Sequence, residues 1–196
     1  METCNISKLA GFLSVAIIGS SLFSGCSLLD NQSEEKTVED KSKEEDSLIY
    51  QCNLHYISKN YNEAFKYCKR AAEEGISDAQ FTLGLMYYDG QGVKQDYSEA
   101  QKWFQKAAEQ GYAYAQYDLG LMYYNGEGVK QDYFKAIELW QKASKQRNAR
   151  AQYNLGVMYA KGLGVRQNYT KAKEYFGLAC DNKYQAGCDM YRKLNQ

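Results

Sequence analysis

The strongest constraint on this chain is that it repeats itself every 36 residues. AQFTLGLMYYDGQGVKQDYSEAQKWFQKAAEQGYAY begins at Ala79, AQYDLGLMYYNGEGVKQDYFKAIELWQKASKQRNAR at Ala115, and AQYNLGVMYAKGLGVRQNYTKAKEYFGLACDNKYQA at Ala151. A period of this size with helical texture belongs to a solenoid. One helical hairpin cannot bury its own apolar face, so it buries that face against its neighbours.

Local signals place two helices in each unit. Ala79 to Tyr88 is apolar at helical spacing, and the glycine-containing segment from Asp89 to Gln95 breaks it. Asp96 is then predicted to cap a second helix, with Glu99 completing a capping box. Asn60 with Glu63 repeats that start signal, and Asp132 and Asn168 hold the same cap position. Gly90 with Gly92, Gly126 with Gly128 and Gly162 with Gly164 recur where the first helix must end. These glycines are not a phosphate loop, because they follow a helix and no GK[ST] triplet accompanies them.

Charge divides the chain further. Residues 30–46 (DNQSEEKTVEDKSKEED) carry eight acids and three bases, although the whole chain has 24 of each. With one aliphatic residue, Val38, and no aromatic, this block cannot offset its ordering entropy by burial and is expected to be a solvated tether. A charged helix face is the alternative. Net charge zero argues against gathering nucleic acid by bulk electrostatics, and no stacking-plus-basic pattern appears. A single His, His55, leaves little room for imidazole metal sites or nucleophile–base pairs.

Leu9 to Phe23 is an apolar stretch of about 15 residues, where a bilayer-spanning helix needs about 20, so residues 1–25 read as an export signal. The following Leu22-Phe23-Ser24-Gly25-Cys26 resembles the lipobox of bacterial lipoproteins, with Phe23 standing where Leu is usual. That resemblance implies that Cys26 becomes a lipidated N-terminus and the chain's membrane anchor, and Ser27 after it implies transport to the outer membrane. An ordinary secretory signal with an incidental Cys is the alternative. Each buried methylene is worth roughly 0.8 kcal/mol, so three chains on one residue make a lasting anchor.

Cys4 leaves with the signal and Cys26 takes lipid, so Cys52, Cys68, Cys180 and Cys188 remain, an even number in an oxidising compartment. Two disulfides are expected. Free buried thiols and a zinc site are the alternatives, although neither cysteine pair has the close CxxC spacing of structural zinc motifs.

The pattern A-x-x-x-L-G-x-M-Y-x-x-G-x-G-V-x-x-x-x-x-x-A resembles that of Sel-one-like repeats, relatives of the tetratricopeptide repeat. The resemblance implies an all-α, right-handed α-solenoid of antiparallel helical hairpins. Its units would be residues 79–114, 115–150 and 151–186, after a signal over 1–25, a lipidated tether over 26–46 and a short first repeat over 47–78. A closing helix would occupy 187–196. Aligning Ala64 with Ala100 across the shorter first loop sets Cys52 at the position of Gly84, Gly120 and Gly156, and Cys68 at that of Phe104, Trp140 and Phe176. This suggests a Cys52–Cys68 bridge within the first hairpin. Cys180 and Cys188 match the spacing of a cysteine-rich subset of the family. His55 aligns with Tyr87, Tyr123 and Tyr159 and is therefore expected to be a packed core residue.

By the same resemblance the first helices line a concave surface that includes Phe81, Leu85, Tyr88, Tyr117, Leu121, Tyr124, Tyr153 and Val157. Exposed Tyr offers rigid contact area with a polar tip, suited to a protein or peptide partner. The alternative is that these rings pack against neighbouring helices. Truncating Tyr117 and Tyr153 to Ala is expected to abolish partner capture with little change in melting temperature. The expected function is a lipid-anchored envelope interaction module that needs no cofactor. An enzyme is the competing class, because some cysteine-rich relatives are described as weak β-lactamases. The one S-x-x-K, Ser33 to Lys36, lies in the acidic tether, without the rigid base and oxyanion donors that a nucleophile needs.

Overall fold

A computed structural model describes residues 38–196. Among them are nine α-helices: α1 (Val38–Ile57), α2 (Tyr61–Glu73), α3 (Ser77–Asp89), α4 (Tyr97–Glu109), α5 (Ala113–Asn125), α6 (Tyr133–Lys145), α7 (Ala149–Lys161), α8 (Tyr169–Asp181) and α9 (Gln185–Lys193). Each helix packs chiefly on the helices before and after it. The result is the all-α solenoid of antiparallel hairpins. Cys4, Cys26, the expected signal over residues 1–25 and Ser33 to Lys36 lie outside the described residues. No described helix is long and apolar enough to cross a membrane.

The glycine positions explain how the hairpins turn. Gly90, Gly126 and Gly162 end α3, α5 and α7 in the left-handed conformation, with their N–H groups donating to the carbonyls of Met86, Met122 and Met158. Two residues on, Gly92, Gly128 and Gly164 also have positive φ, and a Cβ there would strike Tyr61, Tyr97 or Tyr133 at the start of the preceding unit's second helix. Each loop is thereby seated on the previous hairpin.

The cap signals are met unevenly. The Asp96 carboxylate accepts from the N–H groups of Ser98 and Glu99, while Asp132 and Asn168 accept from Lys135 and Lys171. The capping box does not close as expected, because the Asp96 N–H donates to the Tyr87 carbonyl and the Glu99 carboxylate pairs with Lys102. Asn60 caps nothing with its side chain, since the first loop is four residues shorter and brings its N–H instead to the His55 carbonyl.

The acidic block is also partly ordered. Residues 38–46 belong to α1, so the charged-helix alternative holds for that half of the expected tether. Its mix of Glu and Lys has good helix propensity, and acids near a helix start complement its dipole. Packing of Leu48 in the core anchors the helix from which this turn extends.

Between the two helices of a hairpin the packing repeats with little variation. Gly84 faces Phe104, Gly120 faces Trp140, and Gly156 faces Phe176, and all three aromatic side chains are almost fully buried. In the first hairpin the same place is taken by a Cys52–Cys68 disulfide with Cα atoms 4.7 Å apart. Cys180 and Cys188 are joined between α8 and α9, with Cα atoms 4.5 Å apart. His55 is half-buried, with its ring stacked on Tyr67 at 5.4 Å between centroids. Tyr159 stacks on Tyr175 in the same manner at 5.6 Å.

A ladder of buried amides ties one unit to the next. The Gln80 side chain donates to the Ala72 carbonyl and accepts from Gln110. Gln116 donates to Ala108 and accepts from Gln146, and Gln152 donates to Ser144 and accepts from Asn182. Gln110 and Gln146 reach on to the carbonyls of Gly75 and Gly111.

Candidate interaction surface

The eight residues expected to form the concave surface share one face of α3, α5 and α7, and all eight are half-buried. Their spacing of four and three residues along each helix aligns them on that face. Phe81, Leu85 and Tyr117 line one groove of about 630 Å³. Leu121, Tyr124, Tyr153 and Val157 line an adjoining one of about 400 Å³. Tyr88 lines neither. Its hydroxyl donates to the Glu127 carboxylate at 2.6 Å and its ring packs on Tyr97 at 5.1 Å. Burial, followed by that bond and the Glu127 charge, holds its phenol well above the ordinary range.

The rings of this stripe are neither wholly packed nor wholly exposed. Tyr124 packs on Trp140 at 5.7 Å, and Tyr153 sits between Phe176 at 5.4 Å and Tyr184 at 5.3 Å. Phe81 touches Phe104, Tyr112 and Tyr114. Each ring gives one face to the core and one to the groove. Truncating Tyr153 would accordingly remove core packing, which corrects the expectation that its loss leaves the melting temperature unchanged.

Three groove residues were not singled out in the sequence. Tyr114, at the start of α5, is 61% exposed beside Phe81 and adds a ring that is free to meet a partner. Asp118 stands on α5 in the register filled by Thr82 and Asn154, so the repeat alignment itself held the signal. Burial raises its carboxyl to about 6, Asp89 adding to the effect and Arg150 opposing it. Tyr117 beside it is also raised, by burial first and then by the Asp118 charge. Arg150, on the first turn of α7, lines the same groove. Among the described residues no group of three or more His, Cys, Asp or Glu side chains is placed to hold a metal ion.

The Sel1 repeat family matches four times, at residues 50–76, 77–112, 113–148 and 149–184. The matched units begin two residues before the expected ones, at the start of α3, α5 and α7. A Sel1 repeat protein from Oxalobacter formigenes is 29% identical with a TM-score of 0.68, over 71% of this chain and 56% of that one. A protective antigen present in uropathogenic Escherichia coli strains, displaying an SLR fold, is 32% identical with a TM-score of 0.70, over 79% of this chain and 35% of that one. Cysteine rich protein B of Helicobacter pylori shares the fold at 24% identity and a TM-score of 0.54, over 67% of this chain and 94% of that one. An uncharacterized protein of Haemophilus influenzae is 67% identical over 24 residues, 12% of this chain and 46% of the relative. The chain thus spans about half the length, or less, of several proteins it matches. With four consecutive matches over most of the described residues and the hairpin geometry to accompany them, the chain belongs to the Sel1 repeat family.

Proposed function

We propose that the protein is a lipid-anchored interaction module of the cell envelope, which holds a protein or peptide segment on the shared face of α3, α5 and α7 and performs no chemistry itself. The observation that carries this reading is the row of half-exposed rings on a rigid array. Such rings offer large contact area at small conformational cost, and affinity concentrates in a few aromatic anchors. The Cys26 lipid would fix the chain to the outer membrane on its periplasmic side, as the Ser24-Gly25-Cys26 sequence suggests. A role for Ser33 and Lys36 in β-lactam chemistry gains no support from the groove, whose ionisable side chains are Asp118, tyrosine phenols and the cations Arg147, Arg150 and Lys183, with no serine among its lining residues.

Crosslinking in the periplasm, with and without Tyr114→Ala and Tyr117→Ala, tests the surface. Loss of the crosslinked partner with retained helical circular dichroism is the expected result, and unchanged capture would refute it. Cys26→Ala tests the anchor separately. The variant should leave the membrane fraction and incorporate no labelled fatty acid, and continued fractionation with membranes would remove the anchor from the proposal.

A further inference from the structure

The groove of Phe81, Leu85 and Tyr117 has a charge pattern as well as an apolar floor. Arg147, Arg150 and Lys183 rim it, from the α6–α7 loop, the first turn of α7 and the α8–α9 loop. None of the three lies within ion-pair distance of a carboxylate among the described residues; Arg147 donates through Nε to Asn182 Oδ1 at 3.0 Å, and its remaining N–H groups are uncommitted. Ion pairs such as Lys66 with Glu63, Lys102 with Glu99 and Lys142 with Glu138 lie elsewhere on the molecule. What distinguishes this groove is the convergence of Arg147, Arg150 and Lys183 beside the exposed Tyr114 ring, with Asp118 as the one acid among its lining residues. The amino-terminal turns of α5 and α7 also open onto it, adding a partial positive charge of the same sign.

We infer that this groove selects an acidic, extended peptide segment, one that lays apolar side chains on Phe81, Tyr114 and Tyr117 and sets carboxylates against Arg147, Arg150 and Lys183. The inference rests on the interaction reading above and narrows its partner to one charge class. The groove takes its lining from α3, α5 and α7 and from the α6–α7 and α8–α9 loops, which gives an extended segment a continuous path across them. Carboxylates along that path would find guanidinium and ammonium groups already placed, with no internal ion pair to break.

Asp118 makes this selection depend on pH. It is the acid on the groove floor, with Arg150 of α7 and Asp89 of α3 as the charges that act on it and the Tyr117 phenol as its neighbour on α5. While ionised it opposes an incoming carboxylate. Because burial lifts it to about 6, it is mostly protonated by pH 5.5 and that opposition is gone.

Fluorescence anisotropy of the full chain with three rhodamine-labelled octapeptides tests the inference. One alternates glutamate with phenylalanine or leucine, and the others replace every glutamate by glutamine or by lysine. The glutamate peptide should bind at least about tenfold tighter than the glutamine one at physiological salt, and the lysine one weakest. Arg150→Gln with Lys183→Gln should remove the preference while keeping the fold, since neither side chain makes a hydrogen bond or ion pair among the described residues and the neutral amides add no acid beside Asp118. Binding of the glutamate peptide should tighten about threefold from pH 7.5 to 5.5, and Asp118→Asn should hold it at the tighter value throughout. Equal binding of all three peptides would overturn the acidic class and leave the interaction reading standing. So would silence of every peptide while crosslinked capture still depended on Tyr114. A preference that survives the Arg150 and Lys183 changes would show that the site lies elsewhere.

Discussion

At the scale of single residues, the fold depends on places where a side chain is absent. A Cβ on Gly120 would fall within hard contact of the Trp140 indole, whose Nε1 donates to the Tyr117 carbonyl at 3.0 Å. The ring is almost fully buried and has no room to retreat. Gly120→Ala should therefore cost about 2–4 kcal/mol through overpacking and strain on that bond. Urea denaturation reads the loss, and a double-mutant cycle with Trp140→Ala should show strong coupling, because the smaller residue removes the obstacle. Additive losses would mean that the contact is not the cause. Asp118 gives the opposite kind of prediction. Its folded pKa of about 6 lies above the ordinary 3.8, so the folded state holds the proton more tightly than the unfolded one. Its stabilising contribution is present below the unfolded value and is lost as pH rises through about 6, on the order of 3 kcal/mol in all. Asp118→Asn should raise the urea midpoint at pH 7.5 and flatten the change between pH 4 and 7. A variant that lost stability over that range in parallel with the wild type would show that burial of this carboxylate is not costly.

At the scale of helices and their joints, the 36-residue period made most of the architecture legible before any coordinates. Apolar spacing located the first helices, Asp96, Asp132 and Asn168 started the second ones, and the glycines ended the first. What the sequence hid was of two kinds. Amphipathic rings such as Tyr124 and Tyr153 have the same identity whether they serve core or surface, and only packing divides their two faces. The amide ladder was visible as Ala-Gln at the start of each unit, but its partners Gln110, Gln146 and Asn182 lie 30 residues further on. Those partners recur at the same 36-residue period, but the period does not say which recurring polar residues meet. The ladder predicts that Gln116→Leu, which matches in volume but not in polarity, costs about 1–3 kcal/mol by leaving the Ala108 carbonyl and the Gln146 amide short of a partner. Thermal or urea unfolding measures it. The same substitution at Gln105 serves as a control, since only its exposed bond to Glu109 on the same helix would be lost.

At the scale of the whole stack, a solenoid is weakest where a hairpin has only one neighbour. Met86, Met122 and Met158 are buried beneath the preceding hairpin, whereas α1 exposes Tyr50, Leu54 and Ile57. At the other end α9 contributes one buried residue, Gly187. The two disulfides stand at these ends, one within the first hairpin and one from α8 to α9. By the chain-entropy account a loop of about 17 residues is worth roughly 3 kcal/mol and one of about nine roughly 2.5 kcal/mol, more than the deficit of a missing neighbour's few contacts would leave to spare. Reduction should therefore loosen the array from its ends rather than melt it as a unit. Native-state hydrogen exchange can follow this helix by helix. In the oxidised protein, protection should be even from α2 to α8. After reduction, amides of α1, α2 and α9 should exchange at least about tenfold faster while those of α5 and α6 stay unchanged, because the central hairpins keep both neighbours and their glutamine joints. Replacing only Cys180 and Cys188 by Ala should confine the loosening to α9 and the end of α8. If reduction instead accelerated exchange equally in every helix, the stack would be a single cooperative unit, and the bridges would be stabilising all of it rather than its ends.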